Sequence, residues 1–149
     1  LAAVDGADAR ELRGGSLDDG GRLLALCAGS EAWVVDCGAG ASSAPLRLAA
    51  RLHGTLAPLF SAQFAPPFWS ALLDGSEGGA PASQLLLCVA ADRSFTLWRL
   101  DGAALDDGAP DAPPPSAVLS ASLPPGSSAP LAASMHPRLP QLVVGDGAG

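Results

Sequence analysis

Apolar residues along this chain come in short runs separated by turn residues. Leu23-Leu24-Ala25-Leu26-Cys27-Ala28 lies between Gly20-Gly21 and Gly29-Ser30, and Ala32-Trp33-Val34-Val35 closes on Asp36. Further runs occupy 46–52, 59–64, 85–90, 95–100, 117–122, 131–135 and 141–145. Their lengths are those of strands. The run at 85–90 is continuously apolar, as a strand covered on both faces would be. None of the runs sustains a helical period beyond two turns. The segment 46–52 is the best helix candidate, because Ala and Leu favour helix. Arg47 and Arg51 partly alternate with its Leu residues, which fits a strand better. The pattern predicts an all-β fold.

Three stretches between the runs are rich in Gly, Pro, Ser and Asp, at 74–83, 101–116 and 123–130. They are expected to be loop insertions, since they offer little apolar surface against the entropy of ordering. The chain has 18 Gly and 14 Pro, yet 48% of its residues are hydrophobic and its mean hydropathy is +0.30. A core can therefore be built, and one domain is the expectation for 149 residues.

An internal repeat underlies the runs. Leu85–Leu100 aligns with Leu23–Cys37, each an apolar strand, a small-residue turn, a second strand and a charged residue. This alignment places Trp98 on Val35, a step of 63 residues. A third copy, 141–147, places Asp146 on Asp92, a step of 54. Phe64-Ala65-Pro66 precedes the second copy and Met135-His136-Pro137 the third, while 17–21 holds the same place before the first. Without the insertions, the step approaches the roughly 40–45 residues of a WD repeat.

With these motifs the chain resembles the WD-repeat β-propeller family over 17–149. Asp92-Arg93-Ser94-Phe95-Thr96-Leu97-Trp98 is similar to the family's turn and Trp-ending strand. His53-Gly54 through Phe64-Ala65-Pro66 is similar to its Gly-His entry, inner strand and Phe-x-Pro exit. The resemblance implies about two and a half four-stranded antiparallel blades. One spans 12–52 (strands 12–17, 23–28, 32–37, 46–52) and one spans 59–122 (59–64, 85–90, 95–100, 117–122). A third begins within 131–149 (131–135, 141–145). Asp92, Trp98, Gly54 and Asp146 are then the structural repeat residues. Thr55 stands where the family prefers His, Val35 replaces a Trp, and Arg99 replaces an Asp, although Asp36 is kept. The family's buried Asp–His–Ser/Thr–Trp network is therefore not expected to form intact.

Charge and candidate chemistry narrow the function. All eight basic residues are Arg, against fifteen acidic ones, for a net charge of −7. No basic residues cluster, so neither nucleic acid nor an anionic membrane is an expected partner. Cys27, Cys37 and Cys88 have neither disulfide-framework nor metal spacing and are expected to be free thiols in a reducing compartment. With no apolar leader in 1–16 and no membrane-spanning run, a cytoplasmic or nuclear location is expected. The chain starts without Met and stops in an apparent turn, which suggests a piece of a longer propeller that does not form a closed unit alone.

No convergent catalytic set stands out. His53 and His136 are the histidines and both fall in expected loops. Gly75–Gly79 lacks the Lys of a phosphate cradle, and Asp18-Asp19 and Asp106-Asp107 lack calcium-loop spacing. No catalytic, metal or cofactor residue is therefore expected. Phe68-Trp69 admits two readings: packing on a sheet edge, or anchoring a partner protein. The reading that follows is a non-catalytic protein–protein interaction scaffold. The alternative is a propeller enzyme using His136 or the acid pairs, its site completed by blades beyond this chain.

Overall fold

The computed structural model describes residues 12–38, 46–53, 56–75, 83–101 and 114–147. Gly54, Thr55, Asp106-Asp107 and most of the 74–83 and 101–116 insertions lie outside these. The described chain forms three antiparallel sheets and one helix. Strands β1 (Leu12–Leu17), β2 (Leu23–Ala28), β3 (Glu31–Asp36) and β4 (Arg47–His53) make the first sheet in sequence order. Strands β5 (Leu59–Phe64), β6 (Ser83–Ala90), β7 (Ser94–Asp101) and β8 (Ser116–Ser122) make the second. The third sheet pairs β9 (Pro130–Met135) with β10 (Leu142–Asp146). Among the described residues no helix is long and apolar enough to cross a membrane.

The expected strands are present, with ends shifted by one or two residues. Segment 46–52 is a strand, so the helix alternative fails there: β4 pairs with β3 along its length. One helix was not expected. Helix α1 (Pro67–Asp74) occupies what the sequence suggested was the approach to an insertion. Pro67 supplies a preset helical φ and lacks an N–H that would have no partner in a first turn. Gly75 ends the helix in the left-handed conformation at φ 64°. Asp146 is the last residue of β10, opposite Pro130, and is not in a turn.

The register of the sheets repeats. In the first sheet the β3–β4 ladder slips between Val34 and Val35; in the second the β7–β8 ladder slips between Leu97 and Trp98. These are the positions that the sequence repeat superposes. The first strand of each sheet also carries one extra residue near its start: Gly14 in β1, Phe60 in β5 and Leu131 in β9. An extra residue kinks and twists its strand, so like bulges give like sheet shapes. The bulge register sets Asp146 level with Ala90, two residues earlier than its sequence alignment with Asp92.

The sheets pack side by side through their early strands, β1 and β2 against β5, then β5 and β6 against β9. Phe64 N donates to Ser16 Oγ at 2.8 Å, and Gln63 Nε2 donates to the Ala133 carbonyl at 2.8 Å. Between the first two sheets lies one buried cluster. Ala25, Cys27, Ala32, Val34 and Leu52 meet Ala62, Leu86, Cys88 and Leu100, with Trp98 half-buried against them. Between the second and third lies another, with Leu85, Leu87, Val89 and Leu97 against Ala133 and Met135. Strand alternation separates the two sets, so the second sheet is apolar on both faces.

Candidate functional site

The region around α1 joins the second and third sheets and holds two hollows. The Trp69 indole N–H donates to the His136 carbonyl at 2.9 Å, and the ring packs on the second cluster. Trp69 thus ties the helix to the loop between β9 and β10. Phe68 is half-buried beside it.

The first hollow is an apolar groove of about 280 Å³. Leu87, Phe95, Leu97 and Leu119 form one wall, from β6, β7 and β8. Trp69, Met135, Pro140 and Leu142 form the other. Leu119 is 50% exposed, an open position for a large apolar side chain. Among the described residues β10 pairs only with β9, so the groove opens beside an unpaired strand edge.

The second hollow is polar, about 240 Å³, lined by Asp18 and Asp19 of the β1–β2 turn and by Ser70, Ser83 and Gln84. Asp18 holds that turn by accepting from Leu23 N at 2.8 Å. Its other oxygen accepts from Gln84 Nε2 at 3.3 Å. Gln84 Oε1 is shielded from solvent and, among the described residues, has no hydrogen-bond partner.

The remaining candidates are spread apart. Asp92 accepts from both the backbone N–H (3.0 Å) and the hydroxyl (2.5 Å) of Ser94, which holds its carboxyl below the usual range. It serves its own turn; among the described residues its partners do not include Trp98. Asp146 accepts from Ser128 N at 3.1 Å. His136 Nδ1 accepts from Arg138 N at 3.1 Å, and His53 lies 3.6 Å from Glu31. Trp33 is buried on the face of the first sheet turned away from the second. Its N–H donates to Glu31 at 2.8 Å, and the Arg51 guanidinium lies 5.2 Å over its ring.

A charge cluster is centred on Asp36. Arg22 donates to it at 2.9 and 3.2 Å and Gly38 N at 2.8 Å, with Arg47 at 3.5 Å. The Arg22 hydrogen bonds, then the Gly38 N–H, hold its carboxyl down at about 2. These bonds tie the end of β3 to Arg22, just before β2, and to Arg47, at the start of β4. Burial raises the Cys27 thiol to about 11 and the Cys88 thiol further, which disfavours the thiolate at both. Among the described residues no group of His, Cys, Asp and Glu could hold a metal ion.

Sequence reasoning singled out Phe68 and Trp69 but not the groove, whose walls come from residues up to 73 positions apart, Trp69 to Leu142. A scan against family models finds no match for this chain, and a search of curated proteins finds none.

Proposed function

We propose that the chain is a segment of a WD-type β-propeller acting as a non-catalytic protein–protein interaction scaffold. The observation that carries this reading is the apolar groove over Phe95, Leu97 and Leu119, beside a strand, β10, that among the described residues pairs only with β9. Exposed apolar grooves of this kind mark protein-binding sites, and strand edges recruit partners by backbone pairing. Three observations support the propeller element: matching register slips at Val35 and Trp98, like bulges in each first strand, and side-by-side packing. On this reading, 17–29, 53–66 and 92–98 resemble WD repeat-containing protein 27.

Affinity capture of the full-length protein from cells tests the function. The scaffold reading expects a specific partner set that Leu119→Asp depletes. An unchanged set, together with a measured turnover, would overturn it.

A further inference from the structure

The polar hollow lies where the first and second sheets meet and gathers acceptors from both. Asp18 and Asp19 come from the β1–β2 turn, Ser70 from the first turn of α1, and Ser83 and Gln84 from the start of β6. The turn fixes Asp18 in place. Asp18 N donates to the Leu23 carbonyl at 2.9 Å, Leu23 N donates to Asp18 Oδ1 at 2.8 Å, and Gly21 N donates to the Asp18 carbonyl at 3.0 Å. Gln84 Nε2 ties Asp18 Oδ2 to the second sheet at 3.3 Å. All of these donors are neutral, so they orient the carboxylate without cancelling its charge. No basic side chain is among the described residues that line the hollow. The start of α1 supplies roughly half a positive charge against the two negative ones.

The same wall holds polar groups without partners. Ser70 is only 2% exposed, and among the described residues its hydroxyl has no hydrogen-bond partner. Buried hydroxyls are normally satisfied. Gln84 Oε1 is likewise shielded and, among the described residues, unpartnered. The rest of the lining, Phe64, Ala65 and Pro67, is apolar.

These features select a ligand chemistry. Two carboxylates beside hydroxyl and amide oxygens call for a cation that carries N–H donors. Calcium takes six to eight oxygens in one shell. Here Asp18 already commits one oxygen to the turn and the other to Gln84, and the facing wall is apolar. A guanidinium fork pairs best with a carboxylate whose two oxygens are both free, which Asp18 does not offer. A compact ammonium takes one lone pair from each acceptor, and its aliphatic stem can lie on Phe64, Ala65 and Pro67. A hollow of about 240 Å³ is smaller than a drug-sized pocket and fits a group of side-chain size.

We infer that this hollow binds a primary ammonium group on an aliphatic stem, with Asp18, Asp19 and Ser70 as its acceptors. A lysine side chain and a free aliphatic diamine share that chemistry. The inference stands independently of the scaffold reading and of the apolar groove.

The test is a titration of the isotope-labelled full chain, followed through the Ser70 amide and the Gln84 side-chain amide. The probes are N-α-acetyl-lysine methylamide and putrescine, at constant ionic strength. A saturable shift of both signals is expected. The lysine amide acetylated on its ε-nitrogen keeps the stem and loses the charge, and should not saturate. Asp19→Asn, at an exposed turn position, should weaken binding by about tenfold or more, the scale of one charge-assisted hydrogen bond. Ser70→Ala should weaken it by about fivefold. Tighter binding of the lysine amide assigns the site to a protein side chain, and tighter binding of putrescine to a free amine; either supports the inference. No saturation with either probe, equal binding of the acetylated analogue, or indifference to both substitutions would overturn it. So would calcium chloride that moves the same signals at lower concentration than either amine, which would make the hollow a hard-cation site.

Discussion

The Phe60 carbonyl oxygen stands 2.6 Å from where a β-carbon on Gly14 would be. Gly14 is the bulge residue of β1 at φ +52°, and Phe60 is the bulge residue of β5. The two kinks meet at the junction between the first and second sheets, and only a residue without a side chain lets the backbones approach this closely. Gly14→Ala is therefore expected to destabilise the chain by about 3 kcal/mol, combining left-handed strain with a backbone clash. Gly21, at φ +67° with nothing within 4 Å, supplies the control. Gly21→Ala should cost only the backbone term, about 1 kcal/mol. Urea denaturation of both variants checks the difference; equal losses would remove the junction from the account.

Acid should weaken the first sheet through Asp36. Its carboxyl titrates near 2 in the folded chain against an ordinary 3.8. A depressed folded value means stability fully present above about 3.8 and lost as pH falls through about 2. Because the Arg22 side chain is 42% exposed, solvent screening limits the contribution to about 1 kcal/mol. Asp36→Asn should lose that amount at pH 7 and flatten the stability slope in acid. Denaturation midpoints at neutral and acid pH give the comparison; parallel slopes would contradict it.

How much of this was legible in the sequence depends on distance along the chain. The hairpin of β2 and β3 could be read because Gly29-Ser30 separates two apolar runs, and a tight turn leaves one pairing. The alignment of Val35 with Trp98 came instead from the repeat in the sequence, and the β3–β4 and β7–β8 ladders slip at those two positions. Helix α1 was not, because eight residues are too few to establish a period and Pro66-Pro67 resembles a loop. Its own signals were Pro67 at the start and Gly75 just past the end. The groove was illegible because packing alone brings Leu119 near Met135 and Trp69 near Leu142.

Trp69 should act on the third sheet through one hydrogen bond and its ring. Trp69→Phe keeps most of the packing but loses the bond to His136, at about 1 kcal/mol. Trp69→Ala loses both and should cost about 3 kcal/mol. Hydrogen exchange followed along β9 and β10 should show the loss of protection concentrated there. Uniform loss across all three sheets would contradict this placement.

Arg93 adopts φ +71° in the turn between β6 and β7, and its guanidinium donates to the Ser127 carbonyl at 3.1 Å. Arg93→Ala keeps the strained backbone and loses the bond. Arg93→Gly loses the bond but relieves the strain. The glycine variant should therefore be more stable than the alanine variant by about 1 kcal/mol. Thermal melts of the pair decide it, and an alanine variant equal to or above the glycine variant would contradict the turn geometry.

Thiol labelling should divide the cysteines. Cys27 and Cys88 are buried, with thiols raised by desolvation, whereas Cys37 is half-buried beyond the end of β3. In the native chain one thiol should react quickly with an aromatic disulfide reagent, and mass mapping should place the label on Cys37. All three should react in denaturant. Native labelling of Cys27 or Cys88 at the Cys37 rate would mean that the first cluster is open.

The sheets lie side by side through their first strands, β1 against β5 and β5 against β9. A nuclear Overhauser spectrum of the isotope-labelled chain tests this most directly. It should contain a cross-peak between the α-protons of Gly14 and Ser61, whose backbones approach at the β1–β5 junction. It should also connect the Gln63 side-chain amide with Ala133 at the β5–β9 junction. Both cross-peaks, seen with intact ladders inside each sheet, are the predicted result. Intact ladders without them would contradict the arrangement, and the groove over Phe95, Leu97 and Leu119 would fall with it.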